Sequence, residues 1–253
     1  MNFRRFFWYY LWIAPHLLQI AVAVLMIRRK LFRDFPLFLS YTLFEVANFS
    51  VLFWLYNSSR FTVEQSTYVY VAGDAIGIAL RFGVIHEIFE NVFRQYPALN
   101  QLGRLLFRWA TGVLLVVAVA VALSTTGADT DRVTAALFVT SRAISIVQCG
   151  LLMFLLLFSR YFGLSWRNYV FGTVLGLGVY ASVQLATTAI LTQFGPNFRS
   201  ETFNLILMAT YHCSVLIWLV YFLSPEPAMR PVKTVPSHDL EGWNQELQRL
   251  LQQ

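Results

Sequence analysis

The chain has 253 residues, 57% hydrophobic, 17% aromatic and only 13% charged, with a formal net charge of +6 and a mean hydropathy of +0.57. A soluble globular domain carries roughly 25% charged residues, so about half of the usual solvating surface is missing and a soluble fold is excluded. The basic balance rests on arginine, with lysine only at Lys30 and Lys233; in so apolar a chain it marks loops facing the cytoplasm rather than nucleic-acid binding.

Apolar blocks occupy residues 8–27, 36–56, 66–90, 105–124, 133–158, 168–193 and 201–224. Each reaches the roughly 20 residues that cross a hydrocarbon core about 30 Å thick. Helices are the only open-ended structure lipid permits. The expected fold is therefore all-α: a polytopic integral membrane protein whose residues 1–225 form a seven-transmembrane-helix bundle. The first block follows a basic start, as a secretory signal would, but it is too long for an h-region and ends in RRK instead of a small-residue cleavage site. A retained first helix is expected.

The separators, from RRKLFRDFP to QFGPNFRSE, carry loop chemistry and set a direction. The first, third and fifth hold Arg28, Arg29, Lys30 and Arg33, then Arg94 and Arg104, then Arg160 and Arg167. The second, fourth and sixth hold only Arg60, Arg132 and Arg199, beside Glu64, Asp129, Asp131 and Glu201. Positive-inside bias places the N-terminus outside and the C-terminus in the cytoplasm, although Arg4 and Arg5 argue the other way. Gln19 in LLQIAVAVLM and Gln148 in IVQCGLLMFLLLF stand alike, each ahead of a basic loop. A 3+1+3 arrangement follows, with spans one to three and five to seven as parallel repeats around span four.

Residues 226–253 read as a cytoplasmic tail, a proline-rich linker followed by a stripe of Leu240, Trp243, Leu247, Leu250 and Leu251. That stripe suits a short amphipathic helix on the membrane surface, and a frayed tail fits the same composition.

Ionisable groups within spans are costly, and they usually face the bundle interior. They are His16, Glu45, Asp74, Arg81, Arg142 and His212. At 1.5 Å per residue, Asp74 lies roughly 12 Å into the third span and Arg142 roughly 15 Å into the fifth. Asp74 and Arg81 are seven apart and share a helix face. Asp74 is expected to pair with Arg142, and Arg81 with Glu45. Such pairs serve either ligand binding and proton coupling or packing alone. Gly73 with Gly77, and Gly172 with Gly176, are small-xxx-small pairs that admit a neighbouring helix. His86, Glu87 and Glu90 point away from the Asp74 face, and HEIFE lacks the second histidine of the zinc pattern HExxH. A solvated helix end is expected there.

His16 and His212 fall in the middle third of spans one and seven. Facing imidazoles there would suit haem iron or another metal, and Pro15 would free a carbonyl beside His16. A lone histidine within a span is more often a hydrogen-bonded core residue than a ligand. Tyr211, Asn48, Gln148, Gln184, Thr187 and Thr188 add polar groups for a small ligand. Cys149 and Cys213 sit inside apolar blocks without zinc spacing.

No span carries a lysine for a retinal-type Schiff base, and the chain shows no phosphate loop, GxSxG elbow or CxxCH. The arrangement resembles rhodopsin-like and sugar-transporter-like bundles in topology alone. Three functions remain open, and only the third leaves room for an enzyme. The first is a small-molecule binding bundle, transporter or receptor, using Glu45, Asp74, Arg81, Arg142 and His212. The second is an accessory subunit of a larger membrane complex, and the third a haem- or metal-binding redox protein using His16 and His212. The expected surroundings are a lipid bilayer of the bacterial plasma-membrane type, with a small polar ligand or a membrane-protein partner and no nucleic acid.

Overall fold

The computed structural model describes residues 3–58, 62–93, 97–124, 129–158, 168–194 and 200–224. Seven long helices follow in order: α1 (Phe3–Arg28), α2 (Pro36–Asn57), α3 (Val63–Val92), α4 (Pro97–Ser124), α5 (Asp129–Phe158), α6 (Tyr169–Phe194) and α7 (Ser200–Leu223), with a single turn of 3-10 helix at Leu31–Arg33. No strand occurs among the described residues. All seven are long and apolar enough to cross a membrane, and the chain is read as an integral membrane protein. The expected tail, residues 226–253, lies outside the described residues, as do Arg60, Arg94, Arg160, Arg167 and Arg199.

Local chemistry sets the helix ends. Pro36 occupies the first turn of α2, where its missing N–H costs nothing and its fixed φ suits a helix. Lys30, at φ 59°, turns the chain between α1 and α2. Thr62 and Gln65 form a reciprocal capping box at the start of α3, with Gln65 N–H donating to Thr62 Oγ1 at 3.3 Å and Thr62 N–H to Gln65 Oε1 at 3.2 Å. The Asn168 side chain accepts the Val170 N–H at 2.9 Å and opens α6.

The start of α2 is capped from another helix, and this corrects the expectation of a solvated α3 end. Glu87 is only 5% exposed. Its Oε1 accepts the Leu37 N–H at 2.6 Å, and its Oε2 accepts the Phe38 N–H at 2.9 Å. A helix start leaves orphan N–H donors and a partial positive charge, and a carboxylate answers both. His86 and Glu90 remain half-exposed, 3.9 Å apart, with the His86 ring packed edge-on against Phe107 of α4.

The helices form a closed ring, α1–α2–α3–α5–α6–α7, with α7 back against α1. Helix α4 rests outside on α3 and α5, and none of its apolar window is buried. Helix α3 also reaches α6 across the ring. The small-residue pairs act where expected. Gly73 and Gly77 face Asn48 and Glu45 of α2, while Gly172 and Gly176 face Tyr221 and Trp218 of α7.

The apolar core sits towards the end where α1 finishes and α2 begins. Met26, Phe38, Trp218 and Phe222 are almost wholly buried there. Phe38 meets Trp218 edge-on, with ring centroids 5.1 Å apart, and the Trp218 indole N–H donates to the Thr173 carbonyl at 3.2 Å. The opposite end carries exposed Trp8, Tyr9, Tyr10, Tyr56 and Tyr68, the composition of an aromatic belt at a membrane interface. One end of the bundle is therefore packed shut, and polar chemistry collects towards the other.

Candidate functional site

Above the packed end lies a cavity of about 270 Å³, built from α1, α2, α3, α6 and α7. It occupies the half of the bundle in which α1, α3 and α7 begin. Helix α3 supplies one wall through Gly73, Asp74, Gly77 and Arg81, positions that recur on one helical face. The glycines keep that wall low. A Cβ on Gly77 would lie 3.4 Å from Glu45 Oε1, and one on Gly73 would strike the Asn48 side chain. The absence of side chains there lets the polar groups of α2 reach the cavity.

Three of the expected charged residues meet in this space: Glu45, Asp74 and Arg81. Arg81 is 9% exposed, and its Nε has no hydrogen-bond partner. It stands within electrostatic reach of Glu45, Asp74, Tyr41 and Tyr180. No ion pair within 4 Å joins Arg81 to Glu45, or Asp74 to Arg142. The expected pairings thus become a looser cluster sharing one cavity. Arg142 is exposed on α5 and His212 lies beside the cavity rather than in its wall.

His16 does line it. Its Nδ1 lies 3.0 Å from Gln19 Oε1, while Gln19 Nε2 donates to the Tyr211 hydroxyl at 2.6 Å. Since the amide nitrogen is committed to Tyr211, the amide oxygen is the acceptor and His16 Nδ1 carries the proton. That leaves Nε2 as the acceptor of the neutral ring. The ring stacks on Phe49, with centroids 4.0 Å apart. The His212 ring contacts Tyr10 instead, with Nε2 3.4 Å from its hydroxyl, and its buried Nδ1 has no partner. The two histidines therefore serve different neighbours. Among the described residues, no group of three or more His, Cys, Asp or Glu side chains could hold a metal ion.

No protein-family model, curated protein or solved structure matches the chain significantly.

Several cavity residues escape a search for ionisable groups. Tyr41, Tyr70 and Tyr180 line it with Trp12. Tyr41 is 3% exposed and sits beside the Glu45 carboxyl, and Tyr70 stands within electrostatic reach of Asp74. Both follow one pattern, a tyrosine one helical turn before a carboxylate within a span, which places the two side chains on one face. Asn48 and Tyr211, both polar candidates from the sequence, also line the cavity; Gln148, Gln184, Thr187 and Thr188 do not. A second cleft of about 400 Å³ at the packed end touches Arg33, Glu87 and Arg104, but both Glu87 oxygens already serve the backbone of α2.

Proposed function

We propose that this protein is a membrane-embedded bundle that binds a small molecule in the cavity between α1, α2, α3, α6 and α7. One observation carries the reading: Arg81 is buried with an unpartnered Nε in a cavity that also holds Glu45 and Asp74. Ionisable side chains at membrane depth are expensive, and they mark substrate or ion pathways more often than inert packing. A group meant only to hold helices together would be expected to meet its partner directly.

Of transporter and receptor, the helix arrangement favours the transporter. Helix α2 lies between α1 and α3 as α6 lies between α5 and α7, and the contact of α7 with α1 mirrors that of α3 with α5. Gln19 and Gln148, matched in sequence, are both buried, at 0% and 3% exposure. These adjacencies are compatible with two parallel repeats, and the cavity would then draw on helices of both, where repeat-built transporters bind substrate. With the N-terminus outside, as the arginine bias directs, the cavity opens towards the outer face of a bacterial-type plasma membrane and the packed end faces the cytoplasm.

Native mass spectrometry of the gently extracted protein tests the binding reading. A small-molecule adduct is expected on the unaltered protein and lost in Glu45→Gln. A chain carrying only lipid would overturn it, and a second polypeptide in its place would point to an accessory subunit.

A further inference from the structure

The cavity's charges do not balance. Its wall carries one guanidinium, Arg81, and two carboxylates, Glu45 and Asp74, so with all three ionised it holds one net negative charge. His16 is counted as a neutral imidazole, because its ring bonds an amide oxygen and, among the described residues, no carboxylate lies within ion-pair distance to hold a second proton in this half-buried, low-dielectric setting. The remaining titratable groups around the carboxylates are tyrosines: Tyr41 on α2, Tyr70 on α3, Tyr180 on α6 and Tyr211 on α7. All are neutral near physiological pH. Helix α5 contributes no residue to the cavity wall, and its Arg142 is exposed.

An uncompensated charge within a low-dielectric bundle is costly, so something of charge +1 must complete the site. In the empty cavity a proton on one carboxylate would supply that charge. An anionic ligand would deepen the imbalance and a zwitterion would leave it unchanged. A monovalent cation removes it. The lining suits an organic cation rather than a metal ion, because Trp12 and four tyrosines surround the carboxylates, and aromatic faces attract ammonium groups. At about 270 Å³ the cavity falls just below the roughly 300–1,000 Å³ typical of drug-sized ligands.

We propose that the cavity takes a small monovalent organic ammonium ion in exchange for one proton held by the Glu45/Asp74 pair. Arg81 offsets one carboxylate permanently, and the other alternates between proton and ligand. Charge is conserved: one cation enters, one proton leaves, and the site is neutral on both sides. This rests on the binding reading above and names its substrate class.

The test is isothermal calorimetry on the purified full chain with three probes of similar size: 2-phenylethylammonium, 3-phenylpropan-1-ol and 3-phenylpropanoate. Each is titrated near neutral pH in phosphate and again in HEPES, whose ionisation enthalpies differ and neither of which is a net cation. The cation is expected to bind at least roughly tenfold more tightly than the other two, a difference set by a single charge interaction, and to release about one proton per ligand, visible as a buffer-dependent heat. Asp74→Asn or Glu45→Gln, whichever folds, should abolish the proton release. The proton count on the unaltered protein stands whether or not a variant folds. Preferential binding of the alcohol or the carboxylate, or cation binding without proton release, overturns the exchange. If no probe binds while the native adduct persists, the substrate class is wrong and the binding reading survives. If neither is seen, both fall.

Discussion

Glu87 on α3 holds the first turn of α2 through the backbone of Phe38, whose N–H it accepts at 2.9 Å while its other oxygen takes the Leu37 N–H at 2.6 Å. Four residues further along α3, the Asn91 amide donates to the Asp34 carbonyl at 2.8 Å. The end of one helix thus fastens the α1–α2 connection. This explains an acid in the run VIHEIFENV: it is neither solvated nor a ligand but the missing cap of a neighbouring helix.

Glu87→Ala should destabilise the bundle by about 2–3 kcal/mol, the cost of stranding buried donors that had a charged partner. Glu87→Gln keeps one acceptor and should cost less than half as much. Thermal unfolding in detergent measures both, and equal losses would show that a single neutral acceptor cannot stand in for the carboxylate.

The glycines of α3 and α6 should respond differently to one added methyl. A Cβ on Gly172 would meet Tyr221 near its own backbone attachment, where the ring cannot yield, so Gly172→Ala should cost about 1–3 kcal/mol through overpacking. A Cβ on Gly73 would meet only the far end of the Asn48 side chain, which can rotate aside. Gly73→Ala should leave thermal stability near that of the unaltered chain and change ligand binding instead. A large stability loss in Gly73→Ala would argue that Asn48 is locked in place.

Much of the fold is legible in the sequence because lipid removes alternatives. Blocks of about 20 apolar residues leave helices as the one solution, and the observed spans differ from the expected ones mainly at their ends. Helix α4 begins at Pro97 rather than 105 and α5 at Asp129 rather than 133, since polar residues outside the hydrocarbon still extend a helix. The clustering of Glu45, Asp74 and Arg81 is legible from depth together with the helix face that Asp74 and Arg81 share. Arg142 shows where depth fails: it lies as deep as the others but is exposed on α5, and nothing in one apolar helix says which side meets its neighbours. The tyrosines are hidden because they count as apolar, although Tyr41 before Glu45 and Tyr70 before Asp74 were readable as pairs. Glu87 is hidden because its partners are backbone groups, which no side-chain pattern displays.

Arg81→Gln removes the one cation that offsets Glu45 and Asp74. With two carboxylates left on one cavity wall, the protein should lose about 2 kcal/mol, short of the 3–5 kcal/mol for breaking a directly bonded buried pair because the cavity is open on one side. Adding Glu45→Gln restores the charge difference and should recover most of that loss. Unfolding of the two single variants and the double variant closes the cycle. Additive losses would mean that Arg81 supports the bundle through its stem rather than its charge.

Arg29 does for α7 what Glu87 does for α2. Its Nη1 donates to the Ser224 carbonyl at 2.9 Å and its Nη2 to the Leu223 carbonyl at 2.7 Å, and Nη1 also reaches the Tyr169 hydroxyl at 2.9 Å. The last carbonyls of a helix lack partners and carry partial negative charge, so a forked cation satisfies two at once. Tyr169 donates to the same Ser224 oxygen at 3.2 Å, tying α1, α6 and α7 at the packed end. Arg29→Met should therefore cost about 1–2 kcal/mol, and Arg29→Lys should recover only part of it, because a point charge cannot span two carbonyls. Tyr169→Phe should cost little, since Arg29 still holds the Ser224 oxygen. If lysine restored full stability, the charge alone would matter and the fork geometry would not.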